Sequence, residues 1–142
     1  MILKKNSTRL IAILLLMALC FIPTAVFAEV PASDYICSYN AYIVADGNGK
    51  VSVWFSIDGT GAKMDEIGAT KVIIYDASTG SAVKTFLNTS TPGMLGTKKY
   101  THTGSVTYQG TPGTSYYATA WLWAGKDGKG DSRSQTTNTV VA

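Results

Sequence analysis

The sequence is poor in the residues that most often carry out chemistry. It has one histidine, His102, and two cysteines, Cys20 and Cys37, and only 15% of its residues are charged. No cysteine and histidine spacing matches a zinc site. The Gly-x-Ser-x-Gly turn of hydrolases and the glycine-rich phosphate loop are also absent. The sequence therefore predicts no catalytic residues, no metal ligands and no cofactor, and the protein is expected not to be an enzyme.

The chain begins with a segment of the type that directs export. Three basic residues precede an uncharged run from Leu10 to Ile22, and residues 26–28 carry the small or branched side chains that a signal peptidase reads. The basic residues are Lys4, Lys5 and Arg9. The run is shorter than the roughly 20 residues that cross a bilayer. We predict that residues 1–28 are a secretory signal peptide cleaved near Ala28, and that the protein is secreted.

This segment has two other interpretations. An uncleaved membrane anchor stays open as an alternative to cleavage. A lipoprotein would need a small residue before the modified cysteine, but Leu19 precedes Cys20. We therefore expect no lipid anchor and, after cleavage, no stable insertion into a membrane.

Removal of the leader changes the charge balance. The full chain carries 12 basic and 9 acidic residues, for a net charge of +3. Three of the basic residues lie in the leader, so residues 29–142 are formally neutral. Because binding to phosphate backbones requires clustered positive charge, we expect no nucleic-acid partner.

Cys37 is the only cysteine in residues 29–142, so this part of the chain cannot form an internal disulfide. An unpaired cysteine in an exported protein is either buried or bonded to another chain. We predict burial, because a free cysteine behaves as a small apolar residue. His102 lies between two threonines and is predicted to be a surface residue.

The pattern of residues 29–142 is that of β-strands joined by turns. Tyrosine, threonine, valine and isoleucine are frequent, and no long helical period appears. Seven strands are predicted, at residues 35–44, 50–58, 69–76, 81–88, 100–108, 115–124 and 133–141. One helical turn is possible at residues 64–67, inside a loop. Many short strands with frequent turns indicate a single all-β sandwich or barrel domain over residues 29–142.

Residues 112–116 read Pro-Gly-Thr-Ser-Tyr and precede an alternating strand rich in alanine. This motif resembles that of fibronectin type III domains. The resemblance implies an immunoglobulin-like antiparallel β-sandwich of about seven strands, in which Tyr116 is the candidate for the tyrosine corner. Gly110 stands where that family has an apolar leucine. The tryptophan of the family's second strand is out of register, because Phe55 rather than Trp54 shares a face with Val53.

Residues 38–49, 50–59 and 130–133 resemble a second group, an uncharacterised family of small secreted bacterial proteins. The family carries no assigned activity. The resemblance therefore implies export and a β fold, and it transfers no functional residue.

The strongest candidate for a site is a set of aromatic residues. If Tyr116 and the alanines of residues 115–124 face inward, the alternate residues face outward and join an aromatic residue of the third strand. The predicted partner-binding face consists of Tyr75, Tyr117, Trp121 and Trp123. An exposed aromatic surface usually marks an interaction site. The opposite register, with the tryptophans in the core, stays open because a slip of one residue exchanges the two faces.

Three Asp-Gly-x-Gly stretches, at Asp46, Asp58 and Asp127, could suggest calcium, but hairpin turns explain them. The leading hypothesis is an exported β-sandwich module that binds a protein or a glycan. The alternatives are a bacteriocin-like or toxin-like secreted effector, a hydrolase with an unrecognised site, and self-assembly through exposed strand edges.

Overall fold

A computed structural model describes residues 32–142, which form nine β-strands and no helix. The strands are β1 (Ile36–Gly47), β2 (Lys50–Gly59), β3 (Met64–Asp76), β4 (Ala82–Leu87), β5 (Leu95–Lys99), β6 (Thr101–Gln109), β7 (Ser115–Lys126), β8 (Lys129–Thr136) and β9 (Val140–Val141). The predicted signal peptide and its cleavage site lie outside the described residues. Within residues 32–142, no helix is long and apolar enough to span a membrane.

The strands form two antiparallel sheets. The smaller sheet has the order β1-β2-β6, and the larger sheet has the order β4-β3-β7-β8, with β5 added to β3 and β9 added to β7. The sheets do not close into a barrel. In the immunoglobulin-like arrangement, strands A, B and E face strands C, F and G. Here β1, β2 and β6 correspond to the first set, and β3, β7 and β8 correspond to the second. The predicted all-β antiparallel sandwich is therefore confirmed.

The core lies between the sheets and is built by alternation along the central strands. Val51, Val53, Phe55 and Ile57 of β2 are all buried, as are Ala118, Ala120, Leu122 and Ala124 of β7. Alternate side chains of a strand point to opposite faces, so the tryptophans of β7 lie outside this core. The opposite register, with the tryptophans inside, is excluded.

The structure differs from the sequence prediction at the start of β3 and in the last predicted strand. The predicted helical turn at residues 64–67 is wrong, because β5 supplies a strand that pairs with the start of β3, from Met64 opposite Lys99 to Gly68 opposite Leu95. The predicted last strand is divided into two. Thr136 of β8 lies opposite Thr119, whereas β9 pairs with the beginning of β7, so the intervening residues 137–139 leave the ladder.

The predicted burial of Cys37 is wrong, because the free thiol is exposed. The register between β1 and β2 shifts between Ile36 and Ser38. Ile36, rather than Cys37, occupies the buried position at this irregularity. A bulge inserts one extra residue into a strand. The residues on one side of it therefore point to the face opposite from the one that alternation predicts.

The predicted exposure of His102 is also wrong. Its side chain is buried and lies opposite Ile57 on the inner face of β6. His102 Nε2 donates a hydrogen bond to the carbonyl oxygen of Gly93, with an N–O distance of 2.8 Å. This bond satisfies a buried polar group and attaches the loop before β5 to the sandwich.

Tyr116 is buried at the start of β7, and its hydroxyl oxygen accepts a hydrogen bond of 2.9 Å from the backbone N–H of Thr111. A bond from this hydroxyl to backbone a few residues upstream defines a tyrosine corner. A Cβ atom at Gly110 would lie 2.6 Å from the hydroxyl oxygen, so the ring occupies the space that a leucine would fill. Tyr108 packs edge-on against the ring at a centroid distance of 5.8 Å.

Candidate functional site

The outer face of the larger sheet carries the four predicted aromatic residues. Tyr117, Trp121 and Trp123 alternate with the buried residues of β7, and Tyr75 lies directly opposite Tyr117 in β3. All four side chains are partly exposed. Thr119 separates Tyr117 from the two tryptophans, so the face has an aromatic group at each end rather than one continuous platform.

Tyr75 and Tyr117 form the first group. Their rings are stacked, with centroids 5.0 Å apart and an angle of 13° between the ring planes. Within residues 32–142, neither hydroxyl forms a hydrogen bond with another protein group. Both hydroxyls are therefore available to a ligand as donors or acceptors.

Trp121 lies opposite Lys71 in the ladder between β3 and β7. The Lys71 ammonium group lies 4.1 Å from the centroid of the indole ring, which is a cation–π contact. The lysine therefore covers part of the exposed surface of this tryptophan.

The indole of Trp123 lies against two glycines. Gly125 and Gly130 are paired across β7 and β8. A Cβ atom would lie 2.8 Å from Cζ2 of Trp123 if built on Gly125 and 2.5 Å from it if built on Gly130. The absence of side chains at this glycine pair thus allows the indole to rest on the backbone, an arrangement that fixes its orientation.

The indole of Trp123 forms one wall of a pocket of about 310 Å³, which we call the Trp123 pocket. This volume falls within the range of small-molecule sites, about 300 to 1,000 Å³. The other residues that line it are Asp65, Glu66, Gly125, Lys126, Gly128 and Lys129. The lining thus combines one aromatic surface with two carboxylates and two ammonium groups, whose formal charges cancel.

Asp65 holds the two sides of the pocket together. Its carboxylate accepts a hydrogen bond from the Lys98 ammonium group and another, of 2.8 Å, from the backbone N–H of Asp127 at the tip of the β7–β8 hairpin. The hydrogen bond from Lys98, followed by that from Asp127, lowers the pKa of Asp65 below its ordinary value. Asp65 is therefore a positioning residue, since both of its oxygens are already occupied.

Two polar groups of the pocket are unused. Within the described part of the chain, Glu66 and Lys129 form no side-chain hydrogen bond and no ion pair. Lys126 is 3.2 Å from the Asp127 carboxylate. Glu66 can therefore accept hydrogen bonds from a ligand beside Trp123, and Lys129 can donate them.

Sequence reasoning identified Trp123 but missed the polar wall of its pocket. Residues 64–67 were expected to lie inside a loop, whereas Asp65 and Glu66 lie in β3 with Glu66 opposite Gly125. The glycines on either side of the β7–β8 turn were the available signal, because a glycine in a strand often marks a close approach.

The Asp-Gly-x-Gly stretches lie in turns or at strand ends. Asp127 and Gly128 have φ values of 54° and 74°, as a tight hairpin requires. Among residues 32–142, no three histidine, cysteine, aspartate or glutamate side chains are grouped so that they could hold a metal ion.

No protein-family model and no curated protein matches this chain, which is consistent with its resemblance to uncharacterised proteins. A Bordetella pertussis protein described as ApaA is a similar solved structure, at 14% identity and a TM-score of 0.36, covering 79% of this chain and 94% of that chain. A structural-genomics target designated SoR45 is similar at 15% identity and a TM-score of 0.38, covering 78% and 87%. At these values neither comparison bears on function.

Proposed function

We propose that this chain is an exported, non-enzymatic module that binds a glycan through the Trp123 pocket and the adjoining outer face of the larger sheet. The observation that carries the proposal is the close approach of Trp123 to Gly125 and Gly130, beside the unused side chains of Glu66 and Lys129. Export is inferred from the leader pattern of residues 1–28.

A sugar ring suits this pocket for two reasons. A pyranose has an apolar C–H surface that can lie on an indole, and its hydroxyl groups both donate and accept hydrogen bonds at its rim. The side chains of Glu66 and Lys129 offer the complementary acceptor and donor. Since the charges of the lining cancel, the pocket does not select for a charged ligand.

The surface beyond the pocket favours a chain of sugars over a single one. Trp123 and Trp121 lie opposite Ser132 and Ser134 of β8, and Thr119 lies opposite Thr136. A row of serine and threonine side chains thus lies beside the tryptophans and extends toward the stacked rings of Tyr75 and Tyr117. A concave pocket continuous with a polar strip is better suited to a glycan than to a protein anchor, which needs a fully desolvated centre.

A titration of tryptophan emission with oligosaccharides of increasing length tests the proposal. We expect saturable binding, and we expect Trp123→Ala to weaken it about fivefold or more, because a lost aromatic stack is worth on the order of 1 kcal/mol or above. Tyr100→Ala is the matched control, since Tyr100 is 53% exposed and lies outside this surface.

Trp123→Ala also uncovers two glycines, so a second variant separates binding from folding. Glu66→Ala combined with Lys129→Ala removes the acceptor and the donor from exposed, unbonded side chains and is expected to weaken binding at an unchanged melting temperature. The proposal fails if no oligosaccharide binds to the wild-type chain. It also fails if Tyr100→Ala weakens binding as much as Trp123→Ala.

A further inference from the structure

The outer face of the smaller sheet has opposite charges at its two ends. The inward residues of β2 are buried, so the alternate residues point outward. The outward row reads Lys50, Ser52, Trp54, Ser56 and Asp58. The row is symmetric about Trp54 in spacing and size, with a serine two residues away on each side. Four residues from Trp54, the row has a positive charge at Lys50 on one side and a negative charge at Asp58 on the other.

The centre of this face is aromatic and exposed. Trp54 lies opposite Tyr42 of β1 and Ser105 of β6, and the two aromatic side chains are 39% and 44% exposed. The outward residues beside them are uncharged: Asn40, Val44, Thr103 and Thr107. Asp46, the only charged residue of β1, lies at the Lys50 end of the face, and its carboxylate accepts a hydrogen bond of 2.5 Å from the buried Ser52 hydroxyl group. Exposed aromatic pairs without flanking charge are typical of interaction surfaces.

The end charges of the row form no ion pair within residues 32–142. In the described residues, Lys50 has no ion pair, and Asp58 accepts a hydrogen bond from the Ser38 hydroxyl group. Because the Asp46 carboxylate is already bonded to Ser52, a partner that complements Lys50 and Asp58 presents an acidic group at one end and a basic group at the other, with an aromatic centre between them.

We propose that this partner is a second copy of the same chain, packed face to face about a two-fold axis that passes beside Trp54. With the axis between the two sheets and perpendicular to β2, the two copies of β2 run in opposite directions, so Lys50 of each copy meets Asp58 of the other. Both charges lie about 13 Å from Trp54 along the strand, at about 3.3 Å per residue, so the two pairs form together. An interface of this kind is isologous, and its surface must be complementary to itself, as this row is.

The size of the face sets the expected strength. Three strands about 4.8 Å apart and nine residues long cover on the order of 400 Å² per copy, about half of a standard interface. We therefore expect a dimer that dissociates on dilution. Packed sheets cross at about 30°, and the flexible lysine side chain can span the resulting offset. The interface lies on the opposite sheet from the Trp123 pocket and does not depend on glycan binding.

Sedimentation velocity of the full chain over a range of concentrations tests this inference. The wild type should shift from monomer to dimer with increasing concentration. Lys50→Asp places two acidic ends on each copy and Asp58→Lys places two basic ends, so each variant should associate at least tenfold more weakly. The combined Lys50→Asp and Asp58→Lys variant restores opposite ends and should dimerise again.

A mixture of the two single variants gives the sharpest result. One copy with two acidic ends and one with two basic ends should form a heterodimer, although neither associates alone. Association through the apolar run of residues 10–22, or through the open edges of β1 and β6, would not depend in this way on the charges at positions 50 and 58. Thermal unfolding of each variant verifies that it is folded.

Three results would overturn the proposal. The wild type could remain monomeric at every concentration, which would leave this face to another partner. The single variants could associate as the wild type does. The mixed single variants could remain separate while both are folded.

Discussion

At the scale of single residues, glycines determine where the large aromatic side chains lie. The ring of Tyr116 fills the space beside Gly110, and the indole of Trp123 rests on Gly125 and Gly130. Each glycine lets an aromatic ring approach the backbone more closely than any Cβ atom would permit. The positions of these rings are therefore sensitive to the addition of a single methyl group.

Gly130→Ala tests this relation at the Trp123 pocket. The added Cβ atom would lie 2.5 Å from Trp123 Cζ2 and 2.5 Å from the carbonyl oxygen of Ala124, so both must move. We expect a loss of about 1–3 kcal/mol in unfolding free energy, as in overpacked sites, and a change in tryptophan emission. Urea unfolding measures the loss. Ser132→Ala on the same strand is the control, and an equal effect there would contradict the explanation.

Tyr116→Phe tests the tyrosine corner. The variant keeps the ring but removes the acceptor for the Thr111 N–H group, so unfolding free energy should fall by about 0.5–1.5 kcal/mol. Tyr108→Phe is a matched control, because the Tyr108 hydroxyl forms no hydrogen bond within residues 32–142. Chemical denaturation of both variants gives the comparison. Similar losses would show that the hydroxyl bond is not the cause.

At the scale of strands, alternation predicted most of the fold. The inward rows of β2 and β7 follow the period of two that a half-buried strand imposes, so their faces could be assigned from residue types alone. The start of β3 could not be assigned, because its strand character depends on pairing with β5. Cys37 could not be placed, because a bulge interrupts the alternation beside it.

The candidate site, like the fold, could be predicted only in part from the sequence. The outward position of Trp123 follows from the alternation of β7. The nearness of Glu66 and Lys129 does not, because it depends on the register between β3 and β7 and on the hairpin that leads to β8. Register between distant strands is set by the whole core and leaves little trace in a local sequence pattern.

An ionised aspartate attaches the first described residues to β8. Asp131 accepts hydrogen bonds from the Ser33 hydroxyl, at 2.5 Å, and from the Asp34 N–H, at 3.1 Å. The Ser33 bond, followed by the Asp34 bond, lowers the pKa of Asp131 below its ordinary value. A lowered pKa stabilises the folded state above the unfolded pKa of about 3.9, and this contribution is lost as the pH falls through the folded value.

We therefore expect Asp131→Asn to reduce the hydrogen-exchange protection of the Asp34 amide at neutral pH. As the pH is lowered far enough to protonate Asp131, the protection of the wild type should fall to that of the variant. Amide exchange followed by NMR measures both. Asp76→Asn is the control, since the Asp76 carboxylate bonds only within its own turn, to Ser78 and to the backbone of Thr79. A protection factor at Asp34 that is independent of pH and of this substitution would contradict the assignment.

At the scale of the whole molecule, the sandwich is held by pairings between distant parts of the chain. Val53 of β2 pairs with Val106 of β6, and Val72 of β3 pairs with Ala120 of β7. Non-local pairing slows folding, because the chain must close large loops before the contacts form.

We expect refolding from urea to take milliseconds to seconds, as for other two-sheet β domains, rather than microseconds. Stopped-flow tryptophan fluorescence measures this rate. Gly80→Ala should change the rate little if the distant pairings limit folding, because this turn closes only the local β3–β4 hairpin. A large effect of that substitution would indicate that local hairpins limit folding instead.

The two outer faces of the sandwich point in opposite directions, because each belongs to a different sheet. A dimer joined through the smaller sheet would hold two Trp123 pockets on opposite sides of one particle. Such a particle is bivalent, so it could bridge two polymer strands or two surfaces rather than coat one. Where a polymer can reach both pockets, linked binding raises the apparent affinity by about 10²–10⁴ without any new contact.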